Sequence, residues 1–117
     1  MLADRTGQGP DVQVSAIGGT LLIAVEGLLG ATAARRLKEN FDRARPGGRP
    51  VVLDLTGVAE VEPAATEMLR DEWRAIGERL RVVAPADSPA AAALKHGGLR
   101  RFAVHESLSG ALTKAAE

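Results

Sequence analysis

VVLDLTGVAEVEPAATEML, residues 51–69, is the stretch of sequence that decides the fold. It opens with an apolar run broken only by Asp54, which is typical of a parallel strand covered on both faces. Further on, MLRDEWRAIGERL, residues 68–80, carries apolar residues at helical spacing. The six residues VEPAAT, Val61–Thr66, therefore lie where a buried strand passes into a helix. In α/β proteins such turns often hold the working residue, and this one offers a carboxylate, a proline and two alanines.

The rest of the chain predicts strands and helices in alternation. Upstream, DVQVSAI and TLLIAVEG are joined by Gly18-Gly19, which predicts an antiparallel hairpin. Downstream, LRVVA (residues 80–84) and RFAVH (residues 101–105) are predicted strands. The predicted order is β-β-α-β-α-β-α-β-α. It indicates a single α/β domain whose sheet is mostly parallel, with an N-terminal antiparallel strand and about four helices.

The predicted helices carry recognisable apolar stripes and end signals. The first, ATAARRLKENFDRAR (residues 31–45), and the second, which we expect to end near Leu80, are amphipathic. Their predicted buried residues are Ala33, Ala34, Leu37, Phe41 and Ala44, then Met68, Leu69, Trp73, Ile76 and Leu80. The predicted polar face of the second helix is Glu67, Arg70, Asp71, Arg74 and Glu78. Pro46-Gly47-Gly48 is predicted to end the first helix. Asp87 or Ser88 is the predicted N-cap of the third helix and Gly97 its predicted C-terminal stop, and Ser107 is the predicted N-cap of the fourth.

Composition excludes several classes of protein. The 117 residues suffice for one domain, which we place at residues 11–117 after a mobile polar tail at residues 1–10 that has no signal-peptide core. The formal net charge is zero and only Phe41, Trp73 and Phe102 are aromatic, which argues against a nucleic-acid binder. Without cysteine there is no disulfide and no thiolate nucleophile or ligand. No apolar run approaches the ~20 residues of a membrane span, and we predict a cytoplasmic protein without direct membrane insertion.

Catalytic motifs are absent from the sequence. There is no dinucleotide, P-loop or nucleophile-elbow signature, and His96 and His105 lack neighbours at metal-ligand spacing. Asp54 either serves a site at the strand end or accepts local backbone hydrogen bonds, and the second interpretation is favoured because a buried carboxylate must be satisfied. Glu60 and Glu62 are interpreted as surface glutamates rather than as an acid–base pair. We therefore predict that the chain is not an enzyme and uses no cofactor and no metal.

The order of these motifs resembles the STAS domain of bacterial anti-sigma factor antagonists and sulfate transporter tails. The family pattern is an apolar strand with Asp-Leu, Ser or Thr, then Gly-Val, followed by Asp-Ser-x-Gly at the start of a helix. The run Asp54–Val58 matches its first part. Matches near the end are Leu94, Gly98, Leu99 and Phe102, then Ser107, Leu108, Ala111 and Leu112. The resemblance covers Asp11 to about Ala115, although the family often has Asp where Gly30 stands.

The resemblance fails at one functional position. Where the family has Asp-Ser-x-Gly, this chain has Glu62, Pro63, Ala64 and Ala65. Pro63 thus replaces the phosphorylated serine and cannot accept phosphate, whereas proline, with its preset φ and absent N–H, suits the first position of a helix. Thr32, Thr56 and Thr66 are other hydroxyls near this end and are alternative candidates for a phosphoacceptor, although we favour turn and helix-start roles for Thr56 and Thr66.

By implication of the resemblance, the chain is a regulatory module that binds a protein partner of the anti-sigma factor or serine-kinase type. The implied contact surface is the second helix and its N-terminal turn: Glu62, Pro63, Ala64, Thr66, Glu67 and Arg70. Loss of the serine would make binding constitutive, or place its control elsewhere. An alternative that the sequence leaves open is a cytoplasmic STAS subunit of an ABC-type lipid transporter. The sequence does not predict the oligomeric state.

Overall fold

The structure is a computed structural model that describes residues 11–96 and 103–116. Five strands and four α-helices occur in these ranges, in the predicted order. The strands are β1 (Asp11–Ile17), β2 (Thr20–Leu29), β3 (Val51–Val61), β4 (Leu80–Val83) and β5 (Ala103–His105). The helices are α1 (Ala31–Ala44), α2 (Pro63–Ile76), α3 (Pro89–His96) and α4 (Leu108–Ala116). A short 3₁₀ turn, Gly77–Arg79, links α2 to β4.

The strands form one sheet in sequence order, from β1 at one edge to β5 at the other. β1 and β2 are antiparallel, joined at Gly18 and Gly19, which both have positive φ. The remaining pairs are parallel. The predicted α/β architecture, with an antiparallel first strand and four helices, is confirmed. Because β2, β3 and β4 are parallel, the turns that follow β2 and β3 lie at the same edge of the sheet.

Helices cover both faces of the sheet. α1, α2 and α3 pack on one face, where the largest core side chains include Phe41, Ile23 and Leu53. α4 covers the other face, where Ala111 packs with Val52 and Val83. Alternate residues of β3 therefore enter opposite cores, and residues 51–53 are all fully buried. This confirms that β3 is a strand covered on both faces, and it explains its unbroken apolar run.

Most of the helix ends that the structure describes lie where the sequence predicts them. The predicted buried residues of α1 are all buried. The Ser88 hydroxyl accepts a hydrogen bond from the Ala91 N–H (3.1 Å), and the Ser107 hydroxyl accepts one from the Gly110 N–H (3.2 Å), so both serines cap as predicted. Gly97, the predicted stop of α3, lies outside the described residues.

Two boundaries differ from the prediction. Helix α2 ends at Ile76 and not near Leu80, because Gly77 adopts φ 76°, ψ −144° and leaves the helical conformation; Leu80 instead begins β4. Strand β3 continues to Val61, although the apolar run that predicted it ends at Leu55. Its second half pairs with β2 through an irregular ladder, so alternation of polar and apolar residues is interrupted there.

Within residues 11–96 and 103–116, the helices are all too short or too polar to cross a membrane.

Candidate functional site

The motif Asp54–Val58 forms a bulge in β3. In the ladder with β2, Ala24 pairs with Asp54 and Glu26 with Gly57, so β3 has one residue more than β2 in this interval. The Asp54 Oδ1 accepts hydrogen bonds from the Thr56 N–H (3.0 Å) and the Thr56 hydroxyl (2.6 Å). Bulges bend a strand and redirect its side chains. The favoured interpretation of Asp54, as an acceptor of local hydrogen bonds, is confirmed, and these bonds lie within the bulge of the strand that leads into VEPAAT.

Removing these hydrogen bonds is expected to have a moderate effect on stability. Asp54→Ala should lower the free energy of unfolding by about 1–2 kcal/mol, since two hydrogen bonds to a charged acceptor are lost at a partly exposed site. Asp54→Asn keeps a carbonyl acceptor and should lower it by less. Urea denaturation followed by circular dichroism measures both values, and an equal loss in both variants would contradict this role for the Oδ1 atom.

The VEPAAT turn joins the end of β3 to the start of α2 without a break. Val61 is the last residue of the strand, Glu62 is the N-cap and Pro63 is the first helical residue, as predicted. The Glu62 N–H donates to the Leu29 carbonyl (3.0 Å), and the Glu62 carbonyl accepts from the Ala65 N–H (3.0 Å). The backbone of Glu62 thus extends the parallel ladder and begins the helix. This places the start of α2 beside the start of α1.

The predicted contact residues divide into an exposed set and a buried one. Pro63, Ala64 and Glu67 are exposed, and Glu62 and Arg70 are half-buried. Thr66 is 8% exposed and lies beneath the turn. It therefore contributes little surface to any partner, whereas the other five residues are accessible at the carboxyl edge of the sheet.

The Glu62 side chain is directed towards α1 and makes no capping hydrogen bond on α2. A Cβ atom placed on Gly30 would lie 2.5 Å from Glu62 Oε1 and 2.9 Å from its Cδ. Gly30 is the N-cap of α1 and also has no side-chain cap. The carboxylate of Glu62 therefore lies at the first turn of α1, in space that a side chain at position 30 would fill. The positive ends of both helices favour a carboxylate there.

Solved structures with this architecture include several anti-sigma factor antagonists. An anti-sigma factor antagonist from Mycobacterium paratuberculosis matches with a TM-score of 0.79 at 19% identity, over 94% of this chain and 97% of that one. An anti-sigma factor antagonist (STAS) domain protein from Planctomyces limnophilus matches with a TM-score of 0.71 at 21% identity, over 92% and 99%. The chain has the STAS fold. The antagonist SpoIIAA in its unphosphorylated form matches with a TM-score of 0.69 at 12% identity, over 91% and 97%. No protein-family model and no curated protein matches the sequence.

On the STAS fold, the remaining hydroxyls near the turn differ in accessibility. Thr32 and Thr56 are exposed, although the Thr56 hydroxyl donates to Asp54. Thr66 is buried, so a kinase would not reach its hydroxyl without local unfolding. His105 ends β5 and His96 ends α3. Among the described residues, no group of three or more His, Asp or Glu side chains is arranged to hold a metal ion.

A buried carboxylate, that of Glu72, lies between α1 and α2 of this STAS fold and is not among the functional residues that the sequence predicts. Glu72 is 4% exposed. Its Oε1 lies 2.6 Å from Arg45 Nη2 and its Oε2 lies 3.3 Å from Lys38 Nζ. Asp42 completes the cluster, 3.2 Å from Arg45 and 3.6 Å from Lys38. The signal was present in the sequence, because Glu72 follows Leu69 by three residues and precedes Ile76 by four, which places it on the apolar stripe of α2.

Proposed function

We propose that this chain is a protein-binding regulatory module of the anti-sigma factor antagonist type, not an enzyme. The observation that carries the proposal is the exposed start of α2 at the carboxyl edge of a STAS fold. Solved proteins of this fold at comparable length include anti-sigma factor antagonists. The corresponding partner is an anti-sigma factor or serine kinase, in the bacterial cytoplasm.

The proposed docking surface consists of the accessible residues of the turn and the first two turns of α2: Glu62, Pro63, Ala64, Glu67 and Arg70. These residues combine a small apolar patch with charges of both signs. Charges around an interface set the association rate and the choice of partner more than the total affinity. We therefore propose that Glu67 and Arg70 select the partner, while Pro63 and Ala64 allow its close approach.

Control by phosphorylation is proposed to be absent at residue 63. SpoIIAA, which shares the fold, has been solved in unphosphorylated and phosphorylated forms. Pro63 has no hydroxyl, so this chain cannot form a phosphoester at that position. Binding would then be constitutive, or it would be controlled through the abundance of the partner or through another residue.

Binding to purified anti-sigma factor kinases of the source organism tests the proposal. Isothermal titration calorimetry should detect a complex with at least one of them. Glu67→Lys should weaken that complex about tenfold or more, which corresponds to about 1.4 kcal/mol. Glu39→Lys is the matched control, because Glu39 is an exposed helical glutamate on α1, outside the proposed surface. Absence of any complex, or equal weakening by the two substitutions, would contradict the proposal.

A further inference from the structure

A small groove lies between the end of β2 and the first turn of α1. Its lining residues are Leu28, Gly30, Ala31, Thr32, Ala33 and Glu62, and its volume is about 230 Å³. Pockets for cofactors and drug-sized ligands are larger, about 300–1,000 Å³. The groove therefore has the size for a single side chain and not for a nucleotide or an organic cofactor.

The walls of the groove are mostly apolar, and the Glu62 carboxylate lies against them. Leu28 is 43% exposed, which is unusual for a leucine in a strand of this sheet. Among the described residues that line the groove, Glu62 alone is charged, and it is half-buried. Within the described part of the chain, the Glu62 carboxylate has neither a hydrogen bond nor an ion pair with another side chain. Glu60, opposite Leu28 in the ladder with β2, is exposed and adds a second negative charge beside the groove.

Gly30 keeps this carboxylate in place. The backbone of Gly30 has φ −116° and ψ −155°, an extended conformation that any residue adopts. Conformational freedom is therefore not the reason for a glycine here. A Cβ atom would collide with the Glu62 carboxyl group, whose flexible side chain would then leave the groove. Gly30 and Glu62 thus act as a pair that positions one negative charge at the start of α1.

We infer that the groove receives a lysine or arginine side chain of the docked partner. The aliphatic part of such a side chain would lie on Leu28 and Ala31, and its cation would meet the Glu62 carboxylate. Such a side chain would complement both the negative charge and the apolar walls of the groove. The inference rests on the proposed function, since it specifies what the same partner presents, and it extends the docking surface from α2 across to β2 and α1.

A small probe tests the groove without any knowledge of the partner. N-acetyl-arginine amide, titrated into the ¹⁵N-labelled chain, should shift the amide signals of residues 28–33 with a dissociation constant on the order of millimolar. The shifts should be lost in Glu62→Gln and in Gly30→Ala, and kept in the control Glu39→Gln. N-acetyl-glutamate amide and N-acetyl-norleucine amide should not reproduce them. Equal shifts from the norleucine probe, or none from the arginine probe, would overturn the inference.

Binding to a kinase separates this inference from the proposed function. With a partner kinase that binds the wild type, Glu62→Gln and Gly30→Ala should each weaken the complex by about tenfold. If the kinase binds both variants as it binds the wild type, the groove inference fails and the proposed function stands. If no kinase binds while the arginine probe still titrates residues 28–33, the proposed function fails and the cation site stands.

Discussion

Replacing Glu72 by lysine is expected to lower the free energy of unfolding by about 3–5 kcal/mol, the cost of an uncompensated buried charge. Glu72 is 4% exposed between α1 and α2 and contacts two cations, Lys38 and Arg45. A third cation at this position would repel both and would have little access to water. Since a small domain is stable by only about 5–15 kcal/mol, the variant should be partly unfolded near 37 °C. Urea denaturation followed by circular dichroism at 15 °C would measure the loss.

The matched substitution Glu72→Met should change the free energy of unfolding by no more than about 1 kcal/mol. The two cations that lose their partner are not trapped, because the Lys38 and Arg45 side chains are 53% and 38% exposed and water can solvate them. Asp42 also remains within reach of both. A methionine would add apolar contacts along the stripe of α2. If Glu72→Met were as destabilising as Glu72→Lys, the ion pairs themselves, and not the exclusion of an unpaired charge, would stabilise the contact between α1 and α2.

The order of strands and helices was predictable because each element has a regular pattern of burial. β3 is covered on both faces and is apolar without interruption at its start, whereas α1 has one buried stripe and one exposed face. These burial patterns do not predict the element boundaries where the backbone geometry is irregular. The second half of β3 bulges twice against β2, so its polar residues follow no simple alternation and the strand is predicted too short. The end of α2 depends on the positive φ of Gly77, which a stripe continuing to Leu80 does not reveal.

The sequence predicts the local features of the candidate site but not the contacts between residues that are distant in the chain. Proline as the first residue of α2 and glutamate before it follow from local preferences of helix starts. The groove does not, because it forms between Glu62 and Gly30, which are 32 positions apart and meet only when β2 and β3 pair in parallel. Gly30 departs from the family pattern in the sequence, but only the structure shows that it leaves space for the Glu62 carboxylate. A contact between residues this far apart in the chain can be recognised only when the register of the sheet is known.

Introducing a serine at residue 63, the proposed phosphoserine position, is expected to create a phosphoacceptor. With an anti-sigma factor kinase of the source organism and ATP, Pro63→Ser should gain about 80 Da, one phosphate, while the wild type should gain none. The phosphorylated variant should bind its partner about 100-fold more weakly, since close to two negative charges would enter the proposed docking surface. They would lie between Glu62 and Glu67, and Glu67 is one helical turn away on the same side of α2. Intact-mass spectrometry and calorimetry measure the two effects.

Pro63→Ala is the matched control, because it removes the proline ring without adding a hydroxyl. It should stay unphosphorylated and bind the partner as the wild type does, while losing about 0.4–1 kcal/mol of stability through the freer unfolded chain. A stoichiometric mass gain on the wild type would contradict the proposal that the chain escapes this modification, and would direct attention to the exposed hydroxyls of Thr32 and Thr56. Unchanged or tighter binding after phosphorylation of Pro63→Ser would show that residue 63 lies outside the partner interface.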